Sequence, residues 1–253
     1  MTPLADIVSL LDGTLRCSEI ADAPQAQNGL QLENGGSVRR VAVAVDGTQR
    51  TVEAAIATGA DLLVLHHGLF WSGLRPVTGW WKRKLETALR ADLAVYAAHL
   101  PLDMHVELGN NACIARLLGL EDVVPEVNYH GVKIGCAGSY GGTASELKRD
   151  CERLFGGPVT GILAGDPSAP VGRMAVCSGG AADAVYDLHA QGYGTYLTGE
   201  SCHWAIGAAE DMGMNLLLGG HYATETFGVK SLGSLLEERF GLPWVFIDHP
   251  TRA

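Results

Sequence analysis

The stretch Ala60 to Trp71, reading ADLLVLHHGLFW, constrains the fold more than any other part of the chain. Leu62 to Leu65, with Ala60 before them, form a short apolar run that reads as a buried strand. The run ends in His66, His67 and Gly68. Open α/β sheets place their ligand sites at the C-terminal ends of strands, and two imidazoles followed by a flexible residue suit such a place. His66 and His67 are therefore read as metal ligands, and the remaining donors must come from elsewhere in the chain.

Taken in order, Thr2 is expected to cap a first helix with Pro3 at its first position. Ala21 to Gly36 reads as loop around a short Leu30-Gln31-Leu32 strand. Arg39 to Val45 is a strand, and Asp46 or Thr48 caps a helix that Gly59 stops. The histidine strand follows, so a right-handed parallel crossover is expected. A helix over about Lys82 to Arg90 leads to a strand, Leu93 to Ala98, which runs into His99 and Asp103. A helix from about Gly109 to Leu118 comes next, and Glu121 to Val132 reads as a junction.

The second half repeats this order. Met174–Cys177, Thr195–Leu197 and Asn215–Leu218 correspond to Val41–Val45, Leu62–Leu65 and Leu93–Ala97. The third strand of each half ends in a histidine and an acid four residues apart: His99 with Asp103, and His221 with Glu225. A duplicated αβ unit is the reading. The domains expected are 1–125, carrying the His-His pair, and 126–253, carrying Gly-His-Tyr-x-x-Glu. Whether the C-terminal segment returns to the first domain is left open.

At 253 residues the chain can bury a full core. Its net charge of −10 argues against a duplex-binding surface and makes nucleic acid an improbable partner. The compact basic cluster Lys82-Arg83-Lys84, beside Trp80 and Trp81, reads as a solvated helix start, with a phosphate contact as the alternative. The six cysteines form no C-x-x-C pair and read as small core residues of a reducing compartment. No signal peptide or run of transmembrane length is visible, so a cytoplasmic protein without a membrane partner is expected.

Neighbouring side chains on an extended strand point to opposite faces. His66 and His67 do not easily bind one ion while the backbone stays extended; at a strand end the backbone can turn, and the two can serve two ions, one each. A spacing of four places His221 and Glu225 on one helical face. Asp103 can bridge two metals through its two oxygens. Mixed imidazole and carboxylate donors suit Zn, Fe, Mn, Co or Ni better than Mg or Ca. His130, His189 and His249 read as structural histidines, and Cys202-His203 as helix-start packing. Gly138 to Gly142 lacks the spacing and lysine of a P-loop and reads as a flexible turn.

Asn28-Gly29-Leu30-Gln31, Gly59 through His67, Ala98-His99-x-x-Leu102-Asp103, Thr198-Gly199-Glu200 and Gly219-Gly220-His221-Tyr222-Ala223-Thr224-Glu225 together resemble the Nif-three-like family. Its bacterial members are called dinuclear-metal-centre hexameric proteins or GTP cyclohydrolase I type 2 homologues. The resemblance spans nearly the whole chain. It implies two similar three-layer-like αβ domains with mixed or parallel sheets. It also implies a toroidal homohexamer with two divalent metal ions per subunit facing an internal cavity. Position by position, His66, His67, Asp103, His221 and Glu225 match the family's metal ligands, and His99 matches a further ligand or a supporting residue. The chain departs from many relatives in having Gly68 where they have proline, and in Leu100-Pro101 where a small polar residue is common.

The expected function is a metal-dependent hydrolase, acting by family label on a small molecule such as a purine nucleotide. Glu200 is the candidate for a general base, against a role as cap or hydrogen-bond partner. The alternative is a non-catalytic hexameric metal-binding assembly serving as chaperone, store or regulatory adaptor.

Overall fold

Thr2 does not cap the first helix; Pro3 stands at the N-cap, with no side-chain capping bond. The computed structural model describes residues 1–73 and 75–251. In it Thr2 and Pro3 form β1 (Thr2–Pro3), which leads into α1 (Leu4–Leu15). The loop after α1 carries β2 (Gly29–Leu32) and then β3 (Ser37–Val38), the antiparallel partner of β1. That pairing, with the Leu4 amide on the Gly36 carbonyl at 3.0 Å, fixes the start of α1 in place of a Thr2 cap.

The three apolar stretches of the first half become parallel neighbours. They are β4 (Val41–Asp46), β5 (Leu62–His67) and β6 (Ala94–Ala97), with α2 (Gln49–Ala57) and α3 (Gly79–Arg90) as crossovers. Thr48 caps α2 by accepting the Thr51 amide at 3.2 Å, and Gly59, at φ +74°, turns the chain into β5. All six residues of β5 are buried, as a central parallel strand requires. Leu63 and Leu65 lie in one core cluster with Val52, Trp81 and Val95. Burying each such aliphatic side chain contributes about 1.5–3 kcal/mol. After β6 comes the short α4 (Leu100–Asp103).

The second half opens with α5 (Asn110–Leu117) and a strand pair, β7 (Glu121–Tyr129) and β8 (Val132–Thr143). The expected junction over Glu121 to Val132 is thus mostly an edge strand. Gly138 lies within β8, and a Cβ there would stand 2.8 Å from the Glu121 carbonyl oxygen, so close strand approach explains it rather than a turn. There follow α6 (Ala144–Phe155), β9 (Thr160–Ile162), β10 (Pro170–Cys177), α7 (Val185–Ala190), β11 (Thr195–Thr198), α8 (His203–Asp211) and β12 (Asn215–Leu218). The chain ends with α9 (His221–Thr224), α10 (Thr226–Phe240) and β13 (Trp244–Phe246).

Two compact units result. One comprises Met1–His105 with Gly228–His249, and the other is built on Val106–Phe227. The division falls at 105/106 rather than 125/126 because β7 hydrogen-bonds to β8 and belongs with the second sheet. The last segment joins the first unit, where β13 lies parallel to β4. The sheets run β13-β4-β5-β6-β2 and β7-β8-β10-β11-β12-β9. A run of parallel strands, four in the first sheet and three in the second, is followed at one edge by an antiparallel strand, β2 on β6 and β9 on β12. Each third strand also leads into a four-residue helix: His99 precedes α4, which ends at Asp103, and His221 begins α9, which Glu225 follows. Among the described residues no helix is long and apolar enough to cross a membrane.

Candidate metal centre

At the C-terminal edge of the first sheet, parallel register sets the site. Asp46 at the end of β4 pairs with His67 at the end of β5. His67 Nδ1–H donates to Asp46 Oδ1 at 2.9 Å. His66 Nδ1–H donates to the Ala98 carbonyl at 3.0 Å, just past the end of β6. His99 Nδ1–H donates to Asp22 Oδ1 at 2.9 Å. Each imidazole is thereby held in the tautomer whose Nε2 carries the lone pair, the arrangement by which carboxylates and carbonyls orient metal-binding histidines.

The adjacent histidines do meet. The rings of His66 and His67 lie 4.7 Å apart, and that of His66 lies 5.0 Å from His99. His66, His67 and His99 each offer a ligand atom within 4.8 Å of the others. His66 Nε2 stands 3.4 Å from Asp103 Oδ2, and both residues are buried. The indole of Trp71 walls the group, 4.4 Å from His67 and 4.5 Å from His99.

The Asn28-Gly29-Leu30-Gln31 stretch braces this edge. Asn28 Oδ1 accepts the His99 amide at 2.8 Å, and Gln31 Oε1 accepts the Leu69 amide at 2.7 Å. Gly68 leaves room for Gln31, since a Cβ there would overlap its amide and stand 2.7 Å from the Ala97 methyl. Asp22 is the hub, also accepting the Leu100 amide and the Asn28 side chain. Burial pushes its carboxyl up, but these bonds and His99 outweigh burial and hold it below the ordinary carboxylate value.

The second unit carries an equivalent group on its own strand ends. His221 Nε2 lies 3.1 Å from Glu225 Oε1, and His221 Nδ1–H donates to Glu200 Oε1 at 3.0 Å. Gly179, just past β10 at φ +69°, passes so close that a Cβ would overlap Glu225 Oε1. Its carbonyl accepts the Gly199 and Glu200 amides at 3.0 and 2.9 Å. Burial disfavours charge on His221, yet Glu225 and Glu200 raise its pKa to about 9. The imidazole is thus set where its carboxylate neighbours favour positive charge.

The donor sets fit a transition-metal cation. Two donors about 2.1 Å from one cation, at an angle of about 90–110°, stand about 3.0–3.4 Å apart. His66 Nε2 with Asp103 and His221 Nε2 with Glu225 fall in that range, at 3.4 and 3.1 Å. Of the remaining histidines, His130 and His189 are exposed and His249 is half-buried. The buried Cys113, Cys136, Cys151 and Cys177 form no disulfide among the described residues. Asp22, Asp46 and Gly179 were not singled out as site residues from sequence. Asp46 had a signal, because it ends the strand parallel to the histidine strand; Asp22, 77 positions before His99, had none.

Fold and side chains together define a class, an α/β protein of two similar units whose strand ends carry histidine and carboxylate groups able to hold a metal ion. The family model of Duf34/NIF3 (NGG1p interacting factor 3) matches residues 2–252. The GTP cyclohydrolase 1 type 2 homolog of Deinococcus radiodurans is 42% identical over 227 residues, covering 88% of this chain and 85% of that protein. The protein of the same name from Archaeoglobus fulgidus is 40% identical, covering 98% of each chain. The crystal structure of TTHA1606 from Thermus thermophilus superposes with a TM-score of 0.87 at 36% identity, over 100% of both chains. The chain belongs to the Duf34/NIF3 family.

Proposed function

We propose that His66, His67, Asp103, His221 and Glu225 hold two divalent cations, with His99 as a further ligand or support, and that the protein is a metal-dependent hydrolase. The carrying observation is the pairing of imidazole Nε2 with carboxylate oxygen at single-cation spacing, each imidazole being anchored through Nδ1. Cations so bound acidify water and polarise a carbonyl or phosphoryl oxygen. The protein's own part is orientation: Asp46, the Ala98 carbonyl, Asp22 and Glu200 fix the four rings. The names of the relatives favour a purine nucleotide as substrate.

A second reading, a metal-binding assembly without turnover, is favoured by Glu200. Its carboxylate, the candidate base, is engaged by His221 Nδ1. We further propose a homohexamer, in keeping with the family resemblance; the stacked, exposed Tyr186 and Trp204 are candidate contact residues, and light scattering reads the mass. The deciding experiment incubates the protein with Zn, Mn or Fe and GTP. Turnover lost in His67→Ala supports hydrolysis. Stoichiometric metal with no turnover of GTP or simple phosphoesters supports the assembly.

A further inference from the structure

Beside His67 the first unit opens a cleft of about 540 Å³. Its floor is the Asp46–Thr48 turn, where the Gly47 amide donates to the His67 carbonyl at 2.8 Å. Trp71, which packs on His67 and His99, forms the wall shared with the histidine group. Trp80, Arg83 and Lys84 from α3 form the other side.

Lys84 is only 8% exposed. Its ammonium donates to the Gly47 carbonyl at 2.7 Å and lies 4.8 Å from the Trp81 ring centroid. Among the described residues no carboxylate forms an ion pair with it. The carboxylates lining the cleft are engaged elsewhere, Asp46 with His67 and Glu53 with the Gln49 amide at 2.7 Å. Burying an ammonium without an anionic partner is costly, and its two remaining N–H donors suit an anion. Trp80 is 52% exposed, and Arg75 brings a further cation to its ring, 5.1 Å from the centroid. Aromatic faces beside cations are how proteins hold a base and its phosphates together.

We infer that this cleft is a substrate subsite for a planar heteroaromatic ring bearing phosphate, the ring lying on Trp80 and the phosphate on Lys84 and Arg83. The inference rests on the proposed metal centre only for the reaction that follows; the subsite itself is built from residues of α3 and of the loops after β4 and β5. It makes Trp80, Arg83 and Lys84 specificity residues rather than a solvated helix start.

Isothermal titration calorimetry on the full chain, metal-loaded and EDTA-stripped, tests this with GTP and with inorganic triphosphate. GTP is expected to bind both preparations, and His67→Ala as well. Trp80→Ala weakens GTP by about 5–100-fold and leaves triphosphate unchanged. Arg83→Ala, at an exposed position, and Lys84→Met, checked for folding by circular dichroism, each weaken both ligands by about tenfold or more. GTP that binds in this pattern but is not turned over sinks hydrolysis and leaves the subsite standing. The inference is overturned if GTP binds neither preparation. It is equally overturned if binding requires the metal, or if Trp80→Ala and Arg83→Ala bind like the wild type.

Discussion

Gly179→Ala separates the demands of the site from those of the fold. The residue sits at φ +69°, where an L side chain costs about 1–2 kcal/mol. The added methyl would overlap Glu225 Oε1 and stand 3.4 Å from His221 Nε2. Restoring ordinary contact requires the Glu225 oxygen to move by about 1 Å. Ligand distances tolerate only about 0.2 Å, so the pair of donors now 3.1 Å apart is lost as a chelate. Global stability should fall by about 1–2 kcal/mol, which for a chain of this size lowers Tm by roughly 2–8 °C. Metal affinity measured by competition with a fluorescent chelator should fall by about tenfold or more. Gly179→Ser should behave alike, and Gly156→Ala, at φ +69° with open space around it, should show the stability loss without the metal loss. Unchanged metal affinity in a folded Gly179→Ala protein would refute the assignment of Glu225 as a ligand.

Asp46→Asn removes the anionic acceptor that fixes His67 through Nδ1, and should weaken metal binding about 10–100-fold with little change in Tm; calorimetric titration of the stripped protein reads it. Leu63→Ala, at a fully buried position in the central strand, should cost about 2–5 kcal/mol in urea unfolding. Asp61 accepts the Arg39 and Arg40 amides and the Arg39 guanidinium. Burial raises its carboxyl pKa, and these bonds more than reverse that, leaving it below the ordinary value. The stability it lends is therefore present above the unfolded-state pKa of about 3.9 and lost as pH falls through the lower folded value. Asp61→Asn should flatten that part of the acid-unfolding curve.

The strands bearing the candidate ligands were readable because they are short apolar runs, β5 and β12 being closed by Gly68 and Gly219, and because the third strand of each half runs into a histidine with an acid four residues on. The edge strand β7 was not. Its sequence, EDVVPEVNY, carries Pro125 and is mostly exposed, and a register shift between Glu121 and Val124 breaks any alternation. The helix over Lys82 to Arg90 begins earlier, at Gly79, because Trp81 turns inward against Phe70 and the core while Trp80 stays out. Supporting groups were legible only where a strand end fixed them. Asp46 ends, and Glu200 follows, a strand parallel to that of its histidine, whereas Asp22 reaches His99 from a loop whose path no local pattern sets.

The central claim is that donors lying far apart in sequence hold a pair of cations. Its most direct test is metal analysis of the purified chain by inductively coupled plasma mass spectrometry, with anomalous diffraction at the metal edge. Two ions per chain are predicted, in contact with His66, His67, Asp103, His221 and Glu225. A chain that takes up no transition metal, or whose anomalous peaks lie away from those five side chains, contradicts it.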